Sequence, residues 1–382
     1  GMPDLPRPVT GQVEEAIVTY HQEESSRLAK DMPAKDITLA KDETFTGGLC
    51  LVAAEPKSNY IVLEQAAQGR DQQTWNTLME KALSGLNCQV IQSTSDEAPG
   101  LLAYVEHHLG AHHSPDLFHV QHELVKAVSG PLATKQRVAA KAAHEAQERL
   151  AQVPGQRQEA GDASHQRGPG RPPQATASRE QLEYDAQAAH QALERISVQR
   201  EQVAQSIRHL GQAYHFVDLE RGVRRNGRLI ATDIQTQIDT IRSVAQQEGL
   251  SQTCLERIDK AERVVPKMQA TIEFVSGYVH KQVRQLDLSP PVSYALHAHL
   301  IPACYLERVA QRRTVHAGEP LRELAERLRT PLFEPGGMLA GLNEGQQSEL
   351  KHQAQELAEV FQRSSSNVEG RNGYLSLRNH QL

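Results

Sequence analysis

Three carboxylates stand where they can share a metal: Asp42, Asp96 and Glu369. Asp42 follows the short apolar run at residues 37–40, inside Lys41-Asp42-Glu43. Asp96 follows the apolar stretch at 88–91, inside Ser95-Asp96-Glu97. Each reads as closing a strand, the first and the fourth of the chain. Glu369 lies far downstream, at the start of a short helix led in by Ser364-Ser365-Ser366-Asn367. Hard divalent cations take oxygen ligands and keep some waters, which suits such carboxylates. Two ions about 4 Å apart can hold both the attacking and the leaving oxygen of a phosphodiester. The expected cofactors are therefore two Mg²⁺ ions, with Mn²⁺ as a substitute, and the expected chemistry is phosphoryl transfer. An isolated Asp at a strand end is more often a turn or capping residue, and Glu369 also suits a helix cap. The pairing of Asp42 with Asp96 favours the metal reading over the bland one. Glu43 and Glu97 should face the other way, because side chains alternate along a strand.

Positioning these residues requires a sheet, and the first third of the chain supplies the signals for one. Residues 2–36 form a polar, helical lead-in. Residues 49–54 and 60–63 read as two strands joined by a Pro-Lys-Ser-Asn turn. Residues 71–86 have helical spacing, with Trp75, Leu78, Met79, Ala82 and Leu83 on one face. Residues 88–91 are strand and 98–109 helix. The apolar run at 116–120, with its own charged start, reads as the last strand. Periodicity alone supports an α/β class for this part.

Beyond it the strand signals vanish. Residues 37–130 are the first part of the core, 131–363 an all-α insertion, and 364–382 the return to the core as its final helix. Helical windows cover 133–153, 179–210, 232–247, 252–286 and 344–362. Residues 154–177 are rich in Pro, Gly, Ser, Gln and charge, and read as a flexible linker between antiparallel helices. In 179–210 the apolar positions Leu182, Ala186, Ala189, Leu193, Ile196, Val203, Ile207 and Leu210 form a narrow seam.

Composition narrows the function classes. The formal net charge is −6, hydrophobic residues are 38% and aromatic residues 4%. An acidic average argues against nucleic acid unless positive charge is segregated. Cys50, Cys88, Cys254 and Cys304 form no CxxC pair, so neither a zinc cage nor a disulfide framework is indicated. His112, His113, His119 and His122 have poor spacing for zinc. No apolar run approaches membrane-spanning length. A cytoplasmic protein with no membrane partner is expected.

Four runs occur in order: Asp42-Glu43-Thr44-Phe45, Thr94-Ser95-Asp96-Glu97-Ala98, Ser114-Pro115-Asp116-Leu117-Phe118-His119-Val120, and Ser364-Ser365-Ser366-Asn367-Val368-Glu369-Gly370-Arg371-Asn372-Gly373. Together they resemble the landmarks of bacterial insertion-sequence transposases of the Asp-Asp-Glu class. The resemblance covers residues 35–130 and 363–380, and the helical region only in kind. It implies a ribonuclease-H-like mixed sheet interrupted by a large all-α insertion. It implies a DNA transposase that hydrolyses and joins strands at transposon ends, with DNA as partner, a homodimer on DNA, and action at the bacterial nucleoid. Asp42, Asp96 and Glu369 would be the catalytic metal ligands. His119 and Asp116 would support those ligands or the phosphate. Arg221, Arg224, Arg225, Arg228 and Arg371 are the candidate DNA contacts. The alternatives are a catalytically inactive, transposase-derived DNA-binding or scaffold protein, and a related nuclease that cuts without joining.

Overall fold

The computed structural model describes residues 7–45, 48–152, 178–365, 368, 370 and 371. A first helix, α1 (Arg7–Lys30), precedes three antiparallel strands, β1 (Lys35–Thr44), β2 (Cys50–Glu55) and β3 (Tyr60–Ala66). Helix α2 (Gln72–Leu83) leads to β4 (Cys88–Ser95). Helix α3 (Pro99–Tyr104), extended by a π turn at Val105–Leu109, leads to β5 (His112–Pro115). The rest is helical: α4 (Leu117–Ala151), α5 (Arg179–Ala213), α6 (Gly227–Gln247), α7 (Gln252–Glu262), α8 (Val265–Gln285), α9 (Pro290–Ala295), α10 (Ile301–Gln311), α11 (Val315–Phe333) and α12 (Glu344–Ala358). Among the described residues after β5, extended pairing is limited to one isolated bridge, Val217 to Arg224.

The sheet order is β3-β2-β1-β4-β5. β1 pairs with β2, and β2 with β3, antiparallel, while β1 with β4 and β4 with β5 are parallel. The first and fourth strands are therefore neighbours. The antiparallel three come from the two short turns, whereas each parallel step needs a crossover helix, here α2 and then α3. One face of the sheet is sealed by α2 and α3. Leu39, Leu51, Leu63, Trp75, Met79, Leu101 and Tyr104 make its core. Of the α2 face read from sequence, Trp75 and Met79 are buried, and Leu78, Ala82 and Leu83 pack against them. Asp71 caps α2, its side chain accepting from the backbone of Gln73 and Thr74. At Gly100 the start of α3 comes so close to the Arg70 backbone that an added Cβ would lie 2.4 Å from its carbonyl oxygen. A side chain there would push α3 off the sheet.

Three sequence expectations differ from the structure. Asp42 does not close β1: pairing with β2 carries the strand on to Thr44, with Asp42 opposite Val52. β4 runs four residues past Ile91, because Gln92, Ser93, Thr94 and Ser95 are all fully buried despite being polar. Residues 116–120 are not strand. The last strand lies just before them, and Asp116 opens α4 by accepting from the Phe118 N–H at 2.8 Å. Leu117, Val120 and Leu124, all buried, have helical spacing.

The chain divides into two compact units. The first is Gly1–His119 with Gln212–Asp233 and Val264–Leu382; the second is Val120–Gly211 with Ile234–Arg263. The division therefore does not fall at residues 130 and 131. Helices α8 to α12 belong with the sheet, as the stacking of His112 of β5 on Phe274 of α8 illustrates. In the second unit α4 and α5 run antiparallel, as Gln121 bonds the Ile207 carbonyl and Gln136 bonds Ser197. Ile196, Val203 and Leu210 are buried at seven-residue intervals, so the seam read from the sequence is a packed one. The linker expected at 154–177 lies wholly outside the described residues, and 364–382 largely so.

Candidate active site

The β1–β4 ladder ends at Ala40 opposite Thr94. Two further residues along each chain bring Asp42 and Asp96. Their strands are parallel neighbours, about 4.8 Å apart, and both residues sit at the same end of them. Asp42 thus lies on β1 beyond the end of this ladder, and Asp96 lies in the loop directly after β4. Asp42 Oδ1 accepts from the Glu43 N–H at 2.8 Å. Asp96 Oδ1 accepts from the Ala98 N–H at 3.1 Å, an Asx turn that carries the chain into α3. Both residues are half-buried.

The neighbouring glutamates face elsewhere: Glu43 as strand alternation requires, and Glu97 from the loop after β4. Glu43 receives Arg70 Nη1 at 3.0 Å and Trp75 Nε1 at 3.4 Å, on the α2 side. Glu97 bonds His113 Nε2 at 3.1 Å and pairs with Lys267 of α8. Burial alone would raise the Glu97 pKa, but the hydrogen bonds and charges of His113 and Lys267 outweigh it and hold it below its usual value. This clamp fixes the loop immediately after Asp96 from two directions.

Glu369 lies outside the described residues, but its flanks do not. Val368 is fully buried against Ala40, Val52 and Ala54. Ala40 precedes Asp42 by two, hence shares its face, and Val52 is the residue opposite Asp42. Arg371 forms a forked pair with Glu64 of β3, Nη2 to Oε1 at 3.0 Å. It is thus tied to the sheet rather than standing free toward a ligand. The segment is stitched down upstream as well. Gln92 Nε2 donates to the Gln362 carbonyl at 2.9 Å, and the Leu117 N–H to the Arg363 carbonyl at 3.0 Å. Asp116 Oδ2 accepts from both the N–H and the Oγ–H of Ser365.

Asp116 is therefore a buried fastener, not a metal ligand, and its reach is to the segment that leads to Glu369. His119 is half-buried and edge-on to Phe118, with its Nε2 buried and unbonded. The arginine run is broken up by the fold. Arg225 pairs with Asp233 and donates to the Ala213 carbonyl at 3.1 Å. Arg224 turns inward to His297, whose pKa is driven down to about 4 first by burial and then by the arginine charge. Arg221 and Arg228 are exposed. Lys41 belongs to no motif, yet it is fully buried between Asp42 and the core. Its Nζ lies over the Tyr104 ring at 4.5 Å, and burial drives its pKa down to about 7. A lysine directly after the apolar run Ile37–Ala40 is the local signal it leaves.

Among the described residues no group of three His, Cys, Asp or Glu is placed to hold a metal. Asp42 and Asp96 supply two hard oxygen donors, which fits Mg²⁺ in ligand chemistry and needs a third carboxylate to be complete. A cleft of about 620 Å³ lies at the other end of β1 and β4, beside Lys35, Asp36, Cys88 and Tyr278. Its charges are already engaged: Tyr278 donates to Asp36 at 2.7 Å, and Lys57 pairs with Glu356 and Glu359. No helix among the described residues is long and apolar enough to cross a membrane.

No curated protein and no solved structure matches the chain. Residues 296–382, which hold α10 to α12 and the stretch around Glu369, match the model of a family of unknown function, DUF6399.

Proposed function

We propose that this chain is a divalent-metal-dependent polynucleotidyl transferase with a ribonuclease-H-like core, acting on DNA as an insertion-sequence transposase does. The observation that carries the reading is the strand order, which makes the first and fourth strands parallel neighbours, with Asp42 and Asp96 each two residues past the last paired residues, Ala40 and Thr94. The burial of Val368 against the residues that flank Asp42 is the second support, since Glu369 follows it directly. When bound, a pair of divalent cations supplies charge neutralisation for a phosphodiester and a more acidic nucleophile. The residues do the rest. Asp42 on β1 and Asp96 in the loop just after β4 are assigned two ligand positions, and Glu369 the third. The Glu97–His113–Lys267 clamp holds the Asp96 loop, and the Asp116–Ser365 bonds hold the segment before Glu369. Rigid elements keep such a constellation within the tolerance that positioning requires.

The test compares the full chain with Asp96→Asn, which keeps the shape and removes a ligand. Wild-type protein should melt higher in Mg²⁺, with a gain of about 2.7 kcal/mol at a hundredfold excess over Kd. It should nick duplex DNA in Mg²⁺ or Mn²⁺ and join pre-cleaved ends to a target. Asp96→Asn should lose the metal response and the cleavage while keeping its fold. A full metal response in Asp96→Asn removes Asp96 from the site and sinks the enzyme reading. Cleavage without joining leaves a nuclease, and DNA binding without cleavage leaves a scaffold.

A further inference from the structure

Helix α10 carries Arg308, and Arg312 lies one turn later on the same face. Arg308 Nη1 donates to the Ala358 and Phe361 carbonyls, each at 3.2 Å, and Nη2 to Gln362 Oε1 at 3.1 Å. These bonds draw the end of α10 onto the segment after α12. The next residue of that segment is Arg363, whose Nη1 donates to the Tyr214 carbonyl at 3.4 Å. Arg312 and Arg313 are exposed, and among the described residues neither side chain makes a hydrogen bond or an ion pair. Their charges bear on the two arginines beneath. Burial first, and then the neighbouring guanidinium groups, hold Arg308 and Arg363 below the usual arginine pKa. Four guanidinium groups thus gather in one patch of a chain whose net charge is −6.

The plain account of Arg312 and Arg313 is that cations suit the carbonyl end of a helix. That accounts for one exposed arginine; the like charges gathered around two half-buried ones are offset only in part, by Glu359 beside Arg308. A polyanion offsets the rest. The patch is also close in chain terms to the candidate site. The Arg363 carbonyl accepts from Leu117, the Asp116 N–H donates to the Ser95 carbonyl at 3.2 Å, and Ser95 precedes Asp96.

We propose that Arg312 and Arg313, backed by Arg308 and Arg363, anchor the phosphodiester backbone of the DNA that enters the Asp42–Asp96 site. The substrate identity rests on the function proposed above; the patch itself is an anion site read from side-chain placement. Arginine suits it, since its planar fork matches phosphate oxygens two at a time. The run at Arg221–Arg228, favoured from sequence, has two of its four members committed inside the protein.

The test is fluorescence anisotropy of the full chain with a labelled 20-base-pair duplex, in EDTA, from 50 to 300 mM KCl. The Arg312→Gln, Arg313→Gln double variant should bind about tenfold more weakly at low salt. Its log–log salt slope should fall by roughly 2, one unit for each phosphate that is no longer neutralised. Arg312→Lys, Arg313→Lys should keep the slope, because both positions remain cationic. Unchanged circular dichroism shows that the variants fold. The proposal is overturned if the Gln variant keeps both slope and affinity, or if the wild type does not bind the duplex. Because metal is absent, failure here is separate from failure of the catalytic reading. A wild type that cleaves DNA, with a Gln variant of unchanged slope, removes the anchor and leaves the enzyme. A wild type that binds with the expected slope but never cleaves keeps the anchor and removes the enzyme.

Discussion

Lys41→Met should stabilise the protein by about 3–4 kcal/mol at pH 7, a large fraction of the stability of an ordinary domain. Lys41 is fully buried, and among the described residues its Nζ has no hydrogen-bond partner. Its Nζ lies over the Tyr104 and Trp75 rings. Burial lowers its pKa from 10.5 to about 7. The direction of the pH effect follows. Between pH 7 and pH 10.5 the unfolded chain binds a proton at Lys41 that the folded chain does not. Folding is therefore penalised, and the penalty grows as pH falls through this window and levels off below about 7. Wild-type stability should rise toward pH 10, whereas Lys41→Met should remove that part of the slope. Tyr104 does not blur the comparison, because burial raises its pKa away from the window. Urea titrations of both proteins at pH 6, 8 and 10 decide the matter. A difference between them that does not shrink with rising pH means that Lys41 is charged in the fold, with a partner found by local rearrangement.

Asp116→Ala should cost roughly 3–5 kcal/mol and loosen the chain after α12. Asp116 is 2% exposed, and it accepts from the Phe118 N–H at 2.8 Å and from the Ser365 N–H at 2.9 Å, with the Ser365 hydroxyl as a third donor. Alanine leaves the two Ser365 donors unmet in a buried place, each at a cost of about 1–3 kcal/mol, and removes the half-buried bond to the Phe118 N–H. The loss should also be local. The bonds from Gln92 to Gln362 and from Leu117 to Arg363 would remain, but the point nearest Val368 would be released. Limited proteolysis should then cut beyond residue 363 faster than in the wild type. The metal-dependent gain in melting temperature should fall although Asp42 and Asp96 are untouched. Equal proteolysis rates, with a stability loss under about 1 kcal/mol, would show that Asp116 is an ordinary cap of α4 and holds nothing else in place.

How far the site was legible from residue types can be seen element by element. The strands β1 to β3, the hairpin of β2 and β3 and the apolar face of α2 leave local signals: a two-residue period, a Pro-Lys-Ser-Asn turn, a helical spacing around Trp75. Periodicity reports which side of an element is buried, and for these elements burial is one-sided, so pattern and structure agree. The alternation rule likewise separates Asp42 from Glu43 without coordinates. The seam of Ile196, Val203 and Leu210 in α5 is legible for the same reason.

The rest depended on partners distant in the chain. β4 runs past Ile91 through Gln92 to Ser95 because strands on both sides and the returning 361–365 segment bury it, and no local pattern marks a polar run as core. Asp116 looked like the start of a strand and is a helix cap, since short apolar runs look alike in both states and only the Phe118 and Ser365 partners distinguish them. Arg224 and Arg225 looked like a surface run and are held by His297 and Asp233, partners that a reading of nearest neighbours cannot supply. Arg308, Arg312, Arg313 and Arg363 are brought together by the return of the chain after α12 onto the end of α10. Residue type and spacing thus determined which groups can do chemistry. Strand pairing, burial and long-range hydrogen bonding decided which of them stand side by side, because those energies belong to the meeting of segments and not to any segment by itself.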